Sequence, residues 1–557
     1  RDRFGTQYYE DSDLSHQTSM FGYFDLMFPP DAIETILAET NIELVNAGHV
    51  AANKGELLRF FGVMITITRL EFDNRRDLWS AVPSGKYLPV AFLGKTGMSK
   101  HRFDAMFSCL RWSHQPREGP ITNSEEFRWK LVDDFVEHIN DYRLRTFFPC
   151  HRICVDESIS RWYGLGGDWI NEGLPHYVAI DRKPENGCEI QNAACGESGV
   201  MMALSIVKSS RVTDHDMTED NELPHGVKVM KKLLAPWKSL THRIVCADSY
   251  FASVKAACEM FKLGFRFIGV VKTAHRGYPL QYLGSLQLAE RGSMAAVVSE
   301  HDDVYLTAFV WCDRERRYFI STADGIALGQ SYQRKRMRQV QPVESNLPPE
   351  VVDLEVVQPK GAEVYYSTCA AIDQHNRWRQ DDLQLERKLR TPRWDMRVGM
   401  SLFGMMIVDT YRVHKLCTRS TLTPSEFYTK LGEALIENPY IGGHGGGLGA
   451  VTRRLSSDSS TASSLSSKTN TSGIGLHLTP VKEHVTYEGS DGSQRKRLRQ
   501  VSCSFCYRKT TRVCSECLQD SLVPDRKCGF CDPVNNRYCY RQHMEVCHGV
   551  GNPSSDS

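Results

Sequence analysis

The sequence predicts a mixed α/β domain set between two helical regions and followed by a cysteine-rich metal-binding module. Three observations carry this. Short apolar runs crowd residues 150–325, amphipathic stripes flank them on both sides, and eight of the 18 cysteines lie between Cys503 and Cys547. A chain of 557 residues is too long for one core, so three or four domains are expected. Its composition, 41% apolar and 24% charged, is that of a soluble globular protein. No apolar run approaches the roughly 18 residues that span a bilayer, and no secretory signal is visible, so no membrane partner is expected. The formal net charge of +1 neither supports nor excludes nucleic acid, because one face can be basic while the whole chain balances. The cysteines scattered before residue 420 read as buried free thiols of an intracellular protein.

Residues 30–145 read as mostly helical. Pro30-Asp31 starts a helix with Ile33, Ile36 and Leu37 on one face, and Leu57, Phe60, Phe61 and Met64 repeat the helical spacing. Ser99 is placed to cap a helix bearing Phe103, Met106, Phe107 and Leu110. From residue 150 the pattern changes to strands: Ile153 to Val155, Val200 to Val207, Ile244 to Cys246, Phe267 to Val271, Val304 to Trp311 and Tyr318 to Ser321. Residues 324–362 are polar and hold the basic cluster Arg334-Lys335-Arg336-Met337-Arg338. Helical periodicity returns from about Ala371 to Leu435. Gly442 to Gly449 and Ser456 to Ser472 then read as a flexible linker, since they bury too little apolar surface to offset chain entropy. A second basic cluster, Arg495-Lys496-Arg497-Leu498-Arg499, nearly repeats the first. Nuclear import, phosphate contact or a solvated charge run would each explain these clusters.

Two segments share one design. Ile153-Cys154-Val155 runs into Asp156 and Glu157, and Ile244-Val245-Cys246-Ala247 runs into Asp248. An acid at the end of an apolar strand sits where α/β folds bind ligands. Transfer of a phosphodiester needs its attacking and leaving oxygens stabilised together, which two Mg²⁺ ions held by three or four carboxylates achieve. Strand-terminal acids serve equally as caps and ion-pair partners, and spacing leaves the third acid open among Asp373, Asp382 and Asp409. Asp373 is expected at the start of a helix, whereas Asp409 follows the apolar run Met405 to Val408, which favours a core or interface role. Arg182, Lys183, Lys272, His275 and Arg276 lie near the acid-bearing segments and suit either DNA phosphate or plain solvent exposure.

The order of segments from about residue 20 to 435 resembles the piggyBac-type DDE transposases. The resemblance is carried by Gly97-Met98-Ser99-Lys100-His101-Arg102-Phe103 with Cys109-Leu110-Arg111-Trp112, and by Val155-Asp156-Glu157 with Lys183-Pro184-Glu185-Asn186-Gly187. It continues through Ala247-Asp248-Ser249-Tyr250-Phe251-Ala252-Ser253, Ala371-Ile372-Asp373, Arg393-Trp394 and Gly404-Met405. The resemblance implies an RNase H-like catalytic core with Asp156, Asp248 and Asp373 as Mg²⁺ (or Mn²⁺) ligands. Asn376 stands where family members often carry a further Asp. The implied organisation is a tail at 1–20, a helical DNA-binding and dimerisation domain at 21–149 and 383–440, catalytic core at 150–275 and 363–382, an insertion domain at 276–362, a linker at 441–500 and a zinc module at 501–549. It implies cut-and-paste transposition at TTAA targets, double-stranded DNA as partner, a homodimer and a nuclear location. A domesticated, non-catalytic DNA-binding or chromatin-associated protein is the alternative, and a zinc-dependent adaptor is a third reading.

The spacing Cys503-x2-Cys506-x7-Cys514-x2-Cys517-x10-Cys528-x2-Cys531-x7-Cys539-x3-His543-x3-Cys547-His548 supplies ten candidate ligands, enough for two Zn²⁺ with two residues left over. Thiolate and imidazole close a tetrahedron around zinc, and a module this small must draw its folding energy from the metal. The pairing of ligands is left open by the spacing. The family resemblance assigns such a module to reading the transposon end.

Overall fold

A computed structural model describes residues 7–8, 19–80, 93–116, 125–162, 173–179, 186–209, 223–238, 242–272, 277–301, 303–323, 325–338 and 350–441. Beyond these it describes short strands at 478–480, 484–488, 494–498, 501–502, 509–510 and 512–514. The chain divides into two compact units, Arg1–Thr40 with Ala52–Gly442, and Asn41–Ala51 with Gly443–Ser557.

The first unit begins with a short strand, β1 (Gln7–Tyr8), and a run of helices: α1 (Met20–Met27), α2 (Pro30–Asn46), α3 (Lys54–Thr68), α4 (Lys100–Cys109) and α5 (Glu125–Thr146). The start signals are local. Ser19 caps α1 by accepting from Gly22 N–H, Asn53 caps α3, and Ser99 caps α4 as its sequence position predicts. The strands follow as β2 (Phe147–Phe148), which pairs with β1, then β3 (Arg152–Arg161), β4 (Val178–Ala179), β5 (Asn186–Cys195) and β6 (Met201–Ile206). After α6 (His225–Leu234) come β7 (Ile244–Ala247), α7 (Val254–Lys262), β8 (Arg266–Val271), α8 (Leu280–Ser285), β9 (Met294–His301), β10 (Val304–Cys312) and β11 (Arg316–Ser321). The unit closes with the hairpin β12 (Tyr332–Arg338) and β13 (Glu350–Val356), then α9 (Lys360–Arg377), α10 (Leu385–Lys388), α11 (Trp394–Thr418) and α12 (Pro424–Ile436).

Nine strands form one sheet in the order β4-β5-β3-β7-β8-β11-β10-β9, with β6 also on β5. β3, β5 and β6 pair antiparallel in sequence, while β3, β7 and β8 run parallel. The segment expected as an insertion thus contributes β9, β10 and β11 to the same sheet. Both faces are covered. Ile153, Val155, Val245, Ala247 and Phe267 pack under α6 and α7, and Ile244, Cys246, Ile268 and Phe319 pack against Ala362, Val364 and Tyr365 of α9. Burial on both faces is why these strands read as continuous apolar runs rather than alternating ones.

The helices before and after the sheet pack together through an aromatic cluster. Phe61 and Phe403 have ring centroids 4.7 Å apart, and Trp112 stacks on Phe135 at 5.3 Å. α3 and α12 approach so closely that a Cβ on Gly62 would lie 2.7 Å from the Gly432 carbonyl oxygen and 2.8 Å from Ile436 N. α11 is buried on every side from Trp394 to His414, which explains the lack of a polar face in its sequence, and its buried charges, such as Asp409 and Arg397, find partners within the protein.

Three sequence expectations change here. Asp373 lies near the end of α9, not at a helix start, because the helix begins at Lys360 inside a segment whose polarity masked it. The basic cluster 334–338 forms β12, pairing Arg334 with Leu354, Lys335 with Asp353 and Arg336 with Val352. In the second unit the described residues form three antiparallel pairs: β14 (Leu478–Pro480) with β19 (Arg512–Cys514), β15 (His484–Glu488) with β16 (Gln494–Leu498), and β17 (Val501–Ser502) with β18 (Lys509–Thr510). Arg495, Lys496 and Arg497, expected at the end of a linker, are strand residues of β16. No described helix is long and apolar enough to cross a membrane.

Candidate active site

β3 and β7 are parallel neighbours whose register pairs Cys154 with Cys246 and Val155 with Ala247. The next residue along each segment is an acid, Asp156 and Asp248, so the two stand side by side where the pairing of the two strands ends. Parallel neighbours in register present the same face, which here is the α9 face, since Cys154 Sγ donates to Cys369 O at 3.7 Å. Asp248 is held from behind: its Oδ1 accepts from Tyr250 N at 2.8 Å, and its carbonyl oxygen accepts from Ala252 N at 3.0 Å. Asp156 Oδ1 accepts from Glu157 N at 2.9 Å.

The helix α9 is fastened lengthwise to β3. After the Cys369 contact, Asn376 Nδ2 donates to Glu157 O at 3.3 Å, and Gln380 Nε2 and Arg379 Nη2 both donate to Ile159 O, at 3.0 and 2.8 Å. Asp373 lies on α9 between the Cys369 and Asn376 contacts and is exposed. Arg379 also pairs with the buried Glu386, so the turn after the helix is anchored from two directions.

Electrostatics at this acid pair are unfavourable to bare carboxylates. Burial, then the neighbouring Glu157 carboxyl, pushes the Asp156 carboxyl up to about 10. Burial also raises Asp248, with the Tyr250 N–H and the Lys272 ammonium working against the rise. Asn376 Oδ1 is buried and has no hydrogen-bond partner. An all-oxygen donor set, crowded carboxyls and an orphaned amide oxygen suit a hard divalent cation. Among the described residues no three His, Cys, Asp or Glu stand close enough to hold a metal, so the fit rests on the Asp156–Asp248 pair with Asn376, and Asp373 stands on the adjoining helix.

The rival third acids have other occupations. Asp409 is fully buried; its Oδ2 accepts from Arg143 Nη2 at 3.0 Å, and its Oδ1 accepts from Met201 N at 3.1 Å and lies 3.2 Å from His375 Nε2. It therefore anchors the last turn of α9 from below. Asp382 sits beyond α9, where its carbonyl oxygen accepts from Arg69. Of the candidate cations, Lys272 is exposed at the end of β8 beside Asp248. Arg182, Lys183, His275 and Arg276 lie outside the described residues, as do the zinc candidates Cys503, Cys506, Cys517, Cys528, Cys531, Cys539, His543, Cys547 and His548. Cys514 is the last residue of β19, opposite Leu478. Sequence reasoning expected a core or interface role for Asp409, which its burial bears out, but missed its partners Arg143, Met201 and His375 and the unpaired Asn376 Oδ1. The sequence signal for that role was an acid directly after the apolar run Met405 to Val408.

Asp156, expected at a strand end, stands in mid-strand, because β3 runs on to Arg161 against β5 after its pairing with β7 stops. A mixed sheet with two acids side by side where its parallel pairing ends belongs here to a DNA transposase. The sequence pattern of the Transposase IS4 family matches residues 20–411, and the chain belongs to that family. Its fold is the one seen in the cryo-EM structure of piggyBac transposase in a synaptic complex with hairpin DNA. The two share 17% sequence identity with a TM-score of 0.56, over 75% of this chain and 80% of that one. No curated protein matches the chain.

Proposed function

We propose that the chain is a metal-dependent DNA strand transferase whose site is built by Asp156, Asp248 and Asp373 on an RNase H-like core. The observation that carries this reading is the placement of Asp156, in mid-strand on β3, beside Asp248, the residue after β7, where the pairing of the two strands ends, next to the helix that bears Asp373. The antiparallel run β6-β5-β3 followed by parallel β3-β7-β8 supports the core assignment.

In this reading Asp156 and Asp248 would hold Mg²⁺, with Asp373 of the adjoining helix as third ligand and the unpaired Asn376 Oδ1 as a neutral acceptor beside them. When bound, the ion supplies Lewis-acid stabilisation to the attacking and leaving oxygens of an in-line displacement. Tyr250 N–H keeps Asp248 Oδ1 aimed, which lowers the cost of ordering the site. Lys272 beside Asp248 meets a DNA phosphate. The reaction is hydrolysis at a transposon end, followed by attack of the freed 3′-hydroxyl on a phosphodiester of the partner strand or of a TTAA target. The cysteine-rich segment 503–548 binds Zn²⁺ and reads the end sequence, Arg334, Lys335, Arg336, Arg495, Lys496 and Arg497 contact phosphate, and the protein works as a dimer in the nucleus.

A second reading, a DNA-binding protein without strand chemistry, is favoured by the neutral Asn376 at the edge of the acid pair. An excision assay on a plasmid carrying matched terminal repeats separates the two. Excision that is lost in the Asp248→Ala protein supports the first reading, and no excision by the unaltered protein, with end binding intact, supports the second.

A further inference from the structure

A groove of about 1010 Å³ in the first unit is formed by residues 71–79, α4 and residues 384–390. Its lining holds six cations against three carboxylates, and three aromatic rings, Phe72, Trp79 and Phe107. Half of the cations are internally matched. Arg75 and Lys100 share Asp104, at 3.2 and 2.6 Å, and Lys388 pairs with Glu71 at 2.9 Å. Among the described residues Arg76, Arg387 and Arg390 have no ion pair, and all three are exposed. The rings are half-buried and held in place. Trp79 Nε1 donates to Met98 O at 3.0 Å, Phe107 stacks on Phe103, and Arg75 and Lys388 lie 4.8 and 5.6 Å from the Phe107 and Phe72 centroids.

We infer that this groove binds unpaired DNA, with Arg76, Arg387 and Arg390 on the backbone and the aromatic rings against bases. The chemistry selects the occupant. A duplex offers its phosphates on a convex surface and hides its base faces, so rings within a groove gain nothing from it. A single strand offers phosphates and base faces together, which a charged groove with aromatic platforms takes up. Arg75 and Lys388 already lie against the Phe107 and Phe72 rings, so cations and rings share the groove as they do where a strand's phosphates and bases are held together. A few nucleotides fill a cleft of this size, which lies at the upper end of small-ligand sites. Asp373 and the groove wall at Gln384 are joined by 11 residues of continuous helical chain, the end of α9 and the π-helical segment at 378–383. This inference rests on DNA being the substrate, but not on which acids do the chemistry.

The test is binding of the full chain to a labelled oligothymidylate of about 12 nucleotides and to a duplex of the same length, with no divalent cation added. The variant carries Arg76→Ala, Arg387→Ala and Arg390→Ala, exposed positions whose loss leaves the fold intact. Single-strand affinity should fall at least about tenfold, and the salt slope of binding should shrink by about 2, while duplex affinity changes less than about twofold. A second protein, Phe72→Ala, should lose single-strand affinity with an unchanged salt slope. Equal losses for both DNAs, or no loss for the single strand in either protein, would overturn the inference. Because no strand is cut in this assay, its failure leaves the acid assignment standing, and inactive acid variants leave the groove standing.

Discussion

Replacing Asp409 by Ala should be among the most damaging changes in the first unit, although Asp409 is no part of the chemistry. Among the described residues its carboxylate is the ion-pair partner of the Arg143 guanidinium, which is 1% exposed, and it also receives Met201 N–H and faces His375. Truncation leaves a buried charge uncompensated and a backbone donor unbonded. Breaking one side of a buried pair costs about 3–5 kcal/mol. The assay is urea unfolding followed by fluorescence and circular dichroism, read on a transition common to both. The paired change Arg143→Met with Asp409→Leu removes both charges and should recover at least half of that loss, since an apolar pair of similar volume leaves no unpaired ion. A single-variant loss under about 1 kcal/mol, the range of a solvent-exposed pair, would refute the reasoning. So would a double variant as unstable as the single one.

Three further outcomes follow from the same contacts. Gly62→Ala should lower stability by about 1–3 kcal/mol, because the added methyl meets backbone atoms of α12 at 2.7 and 2.8 Å; an unchanged melting curve would mean the helices separate freely. Asn376→Asp should increase the thermal stabilisation conferred by Mg²⁺, since a carboxylate replaces an orphaned amide oxygen at the acid pair; an unchanged Mg²⁺ response would place that oxygen away from the ion. Chelation of zinc should unfold residues 503–548 while the helical and sheet signals of the first unit persist; survival of the module without metal would contradict its reading as a zinc site.

Much of the sheet was legible in the sequence because its strands are buried on both faces. Ile153 to Val155, Ile244 to Cys246 and Phe267 to Val271 are apolar without interruption and end in recognisable acids or turns. What the sequence could not show was that β3 and β7 are parallel neighbours in a register that sets Asp156 beside Asp248, because pairing is a long-range property. The start of α9 was hidden by its own chemistry. Lys360 and Glu363 form a half-buried ion pair at the first turn, and Pro359 caps without a side-chain bond, so no Ser, Thr, Asp or Asn marks the boundary. The charge runs 334–338 and 495–499 gave no alternating apolar signal, yet their described residues are strands. The groove was illegible for the simplest reason. Arg76, Arg387 and Arg390 are surface charges in segments about 300 residues apart, and only the packing of α10 against α3 brings them to one cleft.

The most direct test of the central claim is metal-dependent cleavage of an end-sequence duplex by the proteins Asp156→Ala, Asp248→Ala and Asp373→Ala, each compared with unaltered protein at equal DNA occupancy. Each substitution removes one ligand charge, and the fold should survive, since such site carboxylates cost stability rather than provide it. The account predicts that cleavage is abolished in all three while end binding is retained. Cleavage near the unaltered level in the Asp373→Ala protein would contradict the assignment of the third acid, and cleavage persisting in the Asp156→Ala or Asp248→Ala protein would contradict the site itself.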